Sequence, residues 1–268
     1  MKKTRILSVD WDYFFPDNHI YDWGHGETTH QNLLYGQIIW PLRYHNRSIY
    51  DPHNEDLKAS KHYWPSEVLL KNFWQKTVKS CPAVIILADS HLRLAEHVFS
   101  TIGEHVTEKF YFDQIDNYDA HHDYGYHKSK NDLVDCGNWA RVLVQKGYVK
   151  QYKLYYPPWR REMEEGHKHE CVRKAKYTIQ RKPQDYAIIF VCQSRSWTPP
   201  WADNRFTFFV NELVTKYSKA KLYHLDEVMT ARPFEPGPDV YKMQQERMKN
   251  DPSIQEALKK YKEWKENN

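Results

Sequence analysis

Thr4-Arg5-Ile6-Leu7-Ser8-Val9-Asp10-Trp11-Asp12 is a short apolar run that stops at two carboxylates. A strand buried on both faces of a parallel sheet reads as a continuous run of this kind. Asp10 and Asp12, at i and i+2, would then stand at a strand's carboxyl end, where open parallel sheets hold their ligands. Both could equally be capping residues of an ordinary strand-to-loop turn. The pattern recurs along the chain. Pro82–Leu87 (PAVIIL) leads into Ala88-Asp89-Ser90-His91, and Phe110–Tyr118 leads into Asp119-Ala120-His121-His122-Asp123. Tyr186–Cys192 (YAIIFVC) leads into a Pro- and Trp-rich loop, Gln193 to Asp203, that contains Ser194 and suits a pocket wall. Gln151–Tyr156 and Lys221–Leu225 complete six candidate strands, with room for one or two more.

Helical spacing fills the intervals. Ser66 caps a segment that reaches Thr77 through Val68, Leu69, Phe73 and Trp74, and Leu92–Ser100 follows the second strand. Further helices are expected from Trp139 to about Lys146 and from Phe206 to Tyr217. Residues 160–184 are strongly charged and read as a solvated helix and connector, and 241–268 as a charged helical tail. Strands alternating with helices predict one α/β domain over residues 1–268, a three-layer α/β/α sandwich around a mainly parallel sheet.

Composition narrows the function classes. Apolar residues make up 40% of the 268, enough for a core. The formal net charge of +4 is too small to argue for nucleic acid. Four cysteines, Cys81, Cys136, Cys171 and Cys192, form no C-x-x-C pair, which speaks against a structural zinc site and a disulfide framework. No apolar run approaches the roughly 18 residues of a membrane span. A cytoplasmic protein that binds neither nucleic acid nor membrane is expected, and self-association into a homo-oligomer is left open.

The densest chemistry lies at Asp119, His121 and Asp123, at i, i+2 and i+4. On an extended segment alternate side chains point the same way, so the three could converge on one metal ion or could form a solvated acidic turn. Oxygen and imidazole donors without thiolate suit Mn²⁺, Fe²⁺ or Zn²⁺. His91 at a strand-to-helix junction is by itself a cap or a ligand. Two histidines and four aspartates at strand ends exceed what one ion needs and suit a metal pair that shares a hydroxide. In the long polar segment 17–65, His25 and Glu27 are candidate pocket residues or ordinary surface groups.

Three motifs, ADSH at 88–91, DAHHD at 119–123 and SVDWD at 8–12, resemble the metal motifs of the ureohydrolases, the arginase and agmatinase superfamily. In ordinary arginases the S-x-D-x-D motif follows the other two, whereas here it comes first. The chain is therefore similar to a divergent branch, the peptide arginases that convert arginine to ornithine within ribosomally made peptides. The resemblance implies an arginase-like sandwich with rearranged motif order and two Mn²⁺ ions, with Fe²⁺ or Co²⁺ as substitutes. His91 and Asp123 would bind one ion, His121 and Asp12 the other, and Asp119 and Asp10 would bridge. It implies urea release from an arginine-containing precursor peptide, with Asp123 relaying a proton and His127 as shuttle. Glu27 or Asp203 would receive the guanidinium, with His25 and Ser194 nearby. A single-zinc deacetylase of the related fold needs only part of this set. A haloacid-dehalogenase-like phosphatase would use Asp10 and Asp12 but leaves DAHHD unexplained.

Overall fold

The structure is a computed structural model that describes residues 4–16, 64–102, 111–125, 134–163, 169–179, 182–226 and 228–232, with scattered helical positions between 246 and 263. Six strands form one sheet: β1 (Arg5–Asp10), β2 (Val84–Ala88), β3 (Phe112–Tyr118), β4 (Val149–Tyr155), β5 (Ile188–Cys192) and β6 (Lys221–His224). Their order is β4-β3-β1-β5-β2-β6, and every pairing is parallel. All six expected strands are present.

The helices are α1 (Glu67–Leu70), α2 (Phe73–Thr77), α3 (Leu92–Ile102), α4 (Trp139–Gln145), α5 (Glu170–Arg173) and α6 (Asp203–Lys216). The single helix expected after Ser66 is broken in two. Asn72 takes the left-handed conformation at φ 57°, which asparagine tolerates better than most side chains and which no α-helix continues through. Ser66 stands at the N-cap position without a side-chain cap; its backbone N–H instead donates to Phe14 O at 2.6 Å. The charged 160–184 stretch supplies a 3₁₀ turn over Pro158–Met163 and the short α5.

Alternation along β1 divides the core. Leu7 and Val9 face a layer that includes Phe73 and Trp74 of α2 and Phe206, Phe209 and Leu213 of α6. Ile6 faces the opposite layer, with Leu94 and Val98 of α3 and Trp139 and Leu143 of α4. The result is a three-layer α/β/α sandwich. Connections toward β6 cross one face and those toward β4 cross the other, as right-handed crossovers require. The chain leaves β1 in one direction and β3 in the other, so a crevice opens between their carboxyl ends. Ser8 and Asp10 share the Ile6 side of β1 and point at α3. Among the described residues no helix is long and apolar enough to cross a membrane.

Candidate metal centre

Asp10, Asp12, His91, Asp119, His121 and Asp123 meet at this crevice. His91, in the turn between β2 and α3, directs Nδ1 at three carboxylates: Asp10 Oδ2 at 3.1 Å, Asp119 Oδ2 at 3.3 Å and Asp123 Oδ2 at 3.3 Å. His121 Nδ1 lies 2.9 Å from Asp12 Oδ2 and 3.6 Å from Asp119 Oδ1. Asp119 therefore offers one oxygen to each histidine. Asp10 does not span the two halves in this way. Its Oδ2 faces His91, while Oδ1 accepts the backbone N–H of Asp12 at 3.0 Å.

The loops are locked by backbone-to-carboxylate bonds. Asp119 Oδ1 accepts the His121 N–H at 2.7 Å, and Asp12 Oδ1 accepts the Ala120 N–H at 3.1 Å, tying the loop after β3 to the turn after β1. Residues 119–123 are not an extended run; the side chains converge because the Asp119 turn bends the loop and Asp123 is left-handed at φ 51°. His122 points elsewhere, taking the Tyr124 N–H on its Nδ1 at 3.0 Å.

A second layer orients the donors. Ser8 Oγ sits 2.9 Å from His91 Nε2, where it can accept the Nε2–H once Nδ1 gives up its own proton to a metal ion. The His91 ring is stacked on Trp139 at 5.1 Å and on Phe190 at 5.6 Å. Trp139 Nε1 donates to Asp123 Oδ2 at 2.5 Å, and Asn117 Nδ2 donates to Asp119 Oδ2 at 3.0 Å. Ser194, left-handed at φ 50°, donates its hydroxyl to Asp10 Oδ2 at 2.6 Å. The His121 side chain retains 13% exposure against 1–6% for the others, so the open side is there, where the Trp197 ring lies 4.8 Å away.

Electrostatics show what the cluster lacks. Burial, reinforced by the charges of Asp10 and Asp119, raises Asp12 well above the usual carboxylate range. Burial and the Asp119 charge push Asp123 up to about 7. Burial alone would lower His91, but Asp10 and Asp123 outweigh it and raise the imidazole well above its ordinary value. Burial would likewise raise Asp119, yet the two histidines hold it down at about 2. Asp12 Oδ2 is buried with His121 Nδ1 at 2.9 Å as its neighbour, and one Nδ1 hydrogen of His91 cannot serve three carboxylates. Four buried aspartates around two imidazoles leave an excess of negative charge that only protons or cations can balance. The donor set fits two divalent ions of the Mn²⁺ class: His91 with Asp123 on one side, His121 with Asp12 on the other, Asp119 shared between them, and Asp10 beside His91.

The remaining sequence candidates separate. Asp203 is buried and saturated: Arg232 donates Nε to Oδ2 at 2.9 Å and Nη2 to Oδ1 at 2.7 Å, and Gln193 adds a bond at 3.1 Å. Ser194 belongs to the edge of the centre as a partner of Asp10. His25, Glu27 and His127 lie outside the described residues. Ser8 stood inside a recognised motif without a role of its own. Trp139 carried no signal, because its contribution depends on which helix packs beside β3; Asn117, two residues before Asp119, is a local partner that the reading of the motif passed over. No protein-family model, curated protein or solved structure matches this chain.

Proposed function

We propose that the protein is a two-metal hydrolase that cleaves the guanidinium group of arginine, within a ribosomally made precursor peptide, to ornithine and urea. The observation that carries the metal reading is Asp119, whose two carboxylate oxygens address His91 and His121 separately inside a buried set of four carboxylates. The guanidino substrate rests on the resemblance of the three motifs to the ureohydrolases. The two ions, bound by Asp10, Asp12, His91, Asp119, His121 and Asp123, would make water nucleophilic near neutral pH and stabilise the oxygen that adds to the guanidinium carbon.

The chain's own groups do the rest. Ser8, Trp139 and Phe190 hold the His91 ring, and Asn117 holds Asp119. Water adds to the guanidinium carbon, the bond from that carbon to the side-chain nitrogen breaks, and urea departs. Asp123, with Oδ2 anchored by Trp139, hands a proton to the nitrogen that remains on the peptide as the ornithine amine. His127 serves as the shuttle to solvent. Glu27 is the proposed fork-shaped partner of the substrate guanidinium, since the Asp203 carboxylate is engaged by Arg232. Four cysteines, none of them in a disulfide, accord with a reducing cytoplasmic setting. A phosphatase using Asp10 as nucleophile finds less support: both oxygens of Asp10 are engaged, and the Asp119 loop would have no task.

Urea release tests the reading. Protein reconstituted with Mn²⁺ is offered arginine-containing peptides, free arginine and agmatine, with Asp119→Ala as the control. Urea from peptides alone, abolished in the variant, is the expected result. Urea from a free guanidino compound alone rejects the peptide substrate, and no urea from any of the three rejects the guanidino chemistry.

A further inference from the structure

Cys192 ends β5 beside the centre and plays no part in the six-residue set. Register places it between Asp10 of β1 and Ala88 of β2. It shares a face of β5 with Phe190, whose ring is stacked on His91. Its Sγ, a carboxylate oxygen of Asp10 and a ring nitrogen of His91 all lie within 4.8 Å of one another. The thiol is fully buried and lies 3.1 Å from Ser194 Oγ, the hydroxyl that donates to Asp10 Oδ2. His91 thus belongs to two overlapping donor sets. One is His91, Asp119 and Asp123, made of nitrogen and oxygen; the other is Asp10, His91 and Cys192, which adds sulfur.

We propose that the His91 half of the centre has alternative donors: a hard ion such as Mn²⁺ is held with Asp119 and Asp123, whereas a thiophilic ion such as Zn²⁺ or Cd²⁺ is captured by Asp10, His91 and Cys192. This rests on reading the cluster as a metal centre. Carboxylates favour hard ions and thiolate favours soft or borderline ones, so the two sets sort metals by chemistry. Three mixed protein donors are also the number that a four-coordinate zinc-like ion takes when one position stays open. Capture breaks the Cys192 S–H bond, forms a sulfur–metal bond and releases one proton to solvent; no electron is transferred. With Mn²⁺ the same thiol keeps its proton and its contact with Ser194. The centre's metal content is then set by Cys192 as well as by the ions present.

The test titrates Cd²⁺ into metal-free full-length protein and follows ultraviolet thiolate-to-metal charge transfer. The decisive protein carries Cys81→Ser, Cys136→Ser and Cys171→Ser, which leaves Cys192 as its one thiol. A charge-transfer band that saturates at one Cd²⁺ per chain is expected. In the wild-type background Cys192→Ala removes the donor, and Cys192→Ser replaces it with a harder one. Each is expected to lower the ratio of Cd²⁺ to Mn²⁺ affinity by at least about tenfold. No band in the single-thiol protein, or an unchanged affinity ratio in both Cys192 variants, overturns the proposal. Mn²⁺ binding by the variants confirms that they fold. Failure of wild-type protein to bind Mn²⁺ would defeat the two-metal reading instead, and a Cd²⁺ band in the single-thiol protein would keep the two failures apart.

Discussion

Protons and metal ions compete for the same buried donors, and the competition has a size. His91, Asp12 and Asp123 are all raised, so in the metal-free protein each holds a proton at a higher pH than it would in water. Ligands must be deprotonated to bind, so metal binding releases protons and affinity rises with pH. With Asp123 at about 7, its ionised fraction falls from about one half at pH 7 to about one eleventh at pH 6, a loss of roughly fivefold. His91 is raised as well and acts in the same direction. Asp123 alone predicts that Mn²⁺ affinity falls about fivefold from pH 7 to pH 6, and the raised His91 and Asp12 make the fall steeper. Isothermal titration calorimetry in two buffers of different ionisation enthalpy measures both the affinity and the protons released. At least about one proton per chain at pH 6, the share of Asp123, is expected. An affinity that is the same at both pH values, with no proton release, would refute the assignment of these groups as ligands.

The sign for stability follows from the same shifts. Groups raised in the folded state bind extra protons there, so the metal-free protein loses stability as pH climbs through their folded values, from about 4 toward 7 for Asp123. Metal-loaded protein is expected to show the opposite trend, read as melting temperature against pH with and without chelator. Ser8→Ala removes the group that fixes the His91 tautomer, and Mn²⁺ affinity should fall about 10- to 100-fold, measured by the same calorimetry. Arg232→Ala strands the Asp203 carboxylate, which is only 1% exposed; a loss of about 3 kcal/mol in urea unfolding is expected, with Mn²⁺ stoichiometry unchanged.

Much of the fold was legible because the central strands β1, β2 and β5 announced themselves twice, by an apolar run and by the polar residues that stop it. β5 reads as Ile188–Cys192 between Tyr186 and Gln193, and β2 as Val84–Ala88 before Asp89. The strand order was not legible: nothing local in β5 says that it inserts between β1 and β2, since that follows from helices packing on both faces. The break at Asn72 was hidden for a related reason. Val68, Leu69, Phe73 and Trp74 keep helical spacing across it, and the non-helical backbone of Lys71 and Asn72 interrupts the helix.

The six proposed ligands were legible because acidic and imidazole side chains clustered where strands end. Most of their partners were not, because they act across the fold; Asn117, two residues before Asp119, is the local exception. Asn117 reaches Asp119 from within β3, Trp139 reaches Asp123 from the start of α4, and Cys192 approaches Asp10 only through sheet register. Asp203 shows the converse. Its loop position suggested a substrate carboxylate, and its fork-shaped guanidinium partner turned out to be the chain's own Arg232.

The central claim is that Asp119 joins two metal subsites, and metal counting tests it most directly. Equilibrium dialysis against Mn²⁺ at pH 8, followed by elemental analysis of wild-type protein and Asp119→Ala, gives ions bound per chain. The account predicts two for the wild type and at most one for the variant, because the residue shared by both subsites is gone. One ion or none in the wild type, or two retained without Asp119, would contradict it.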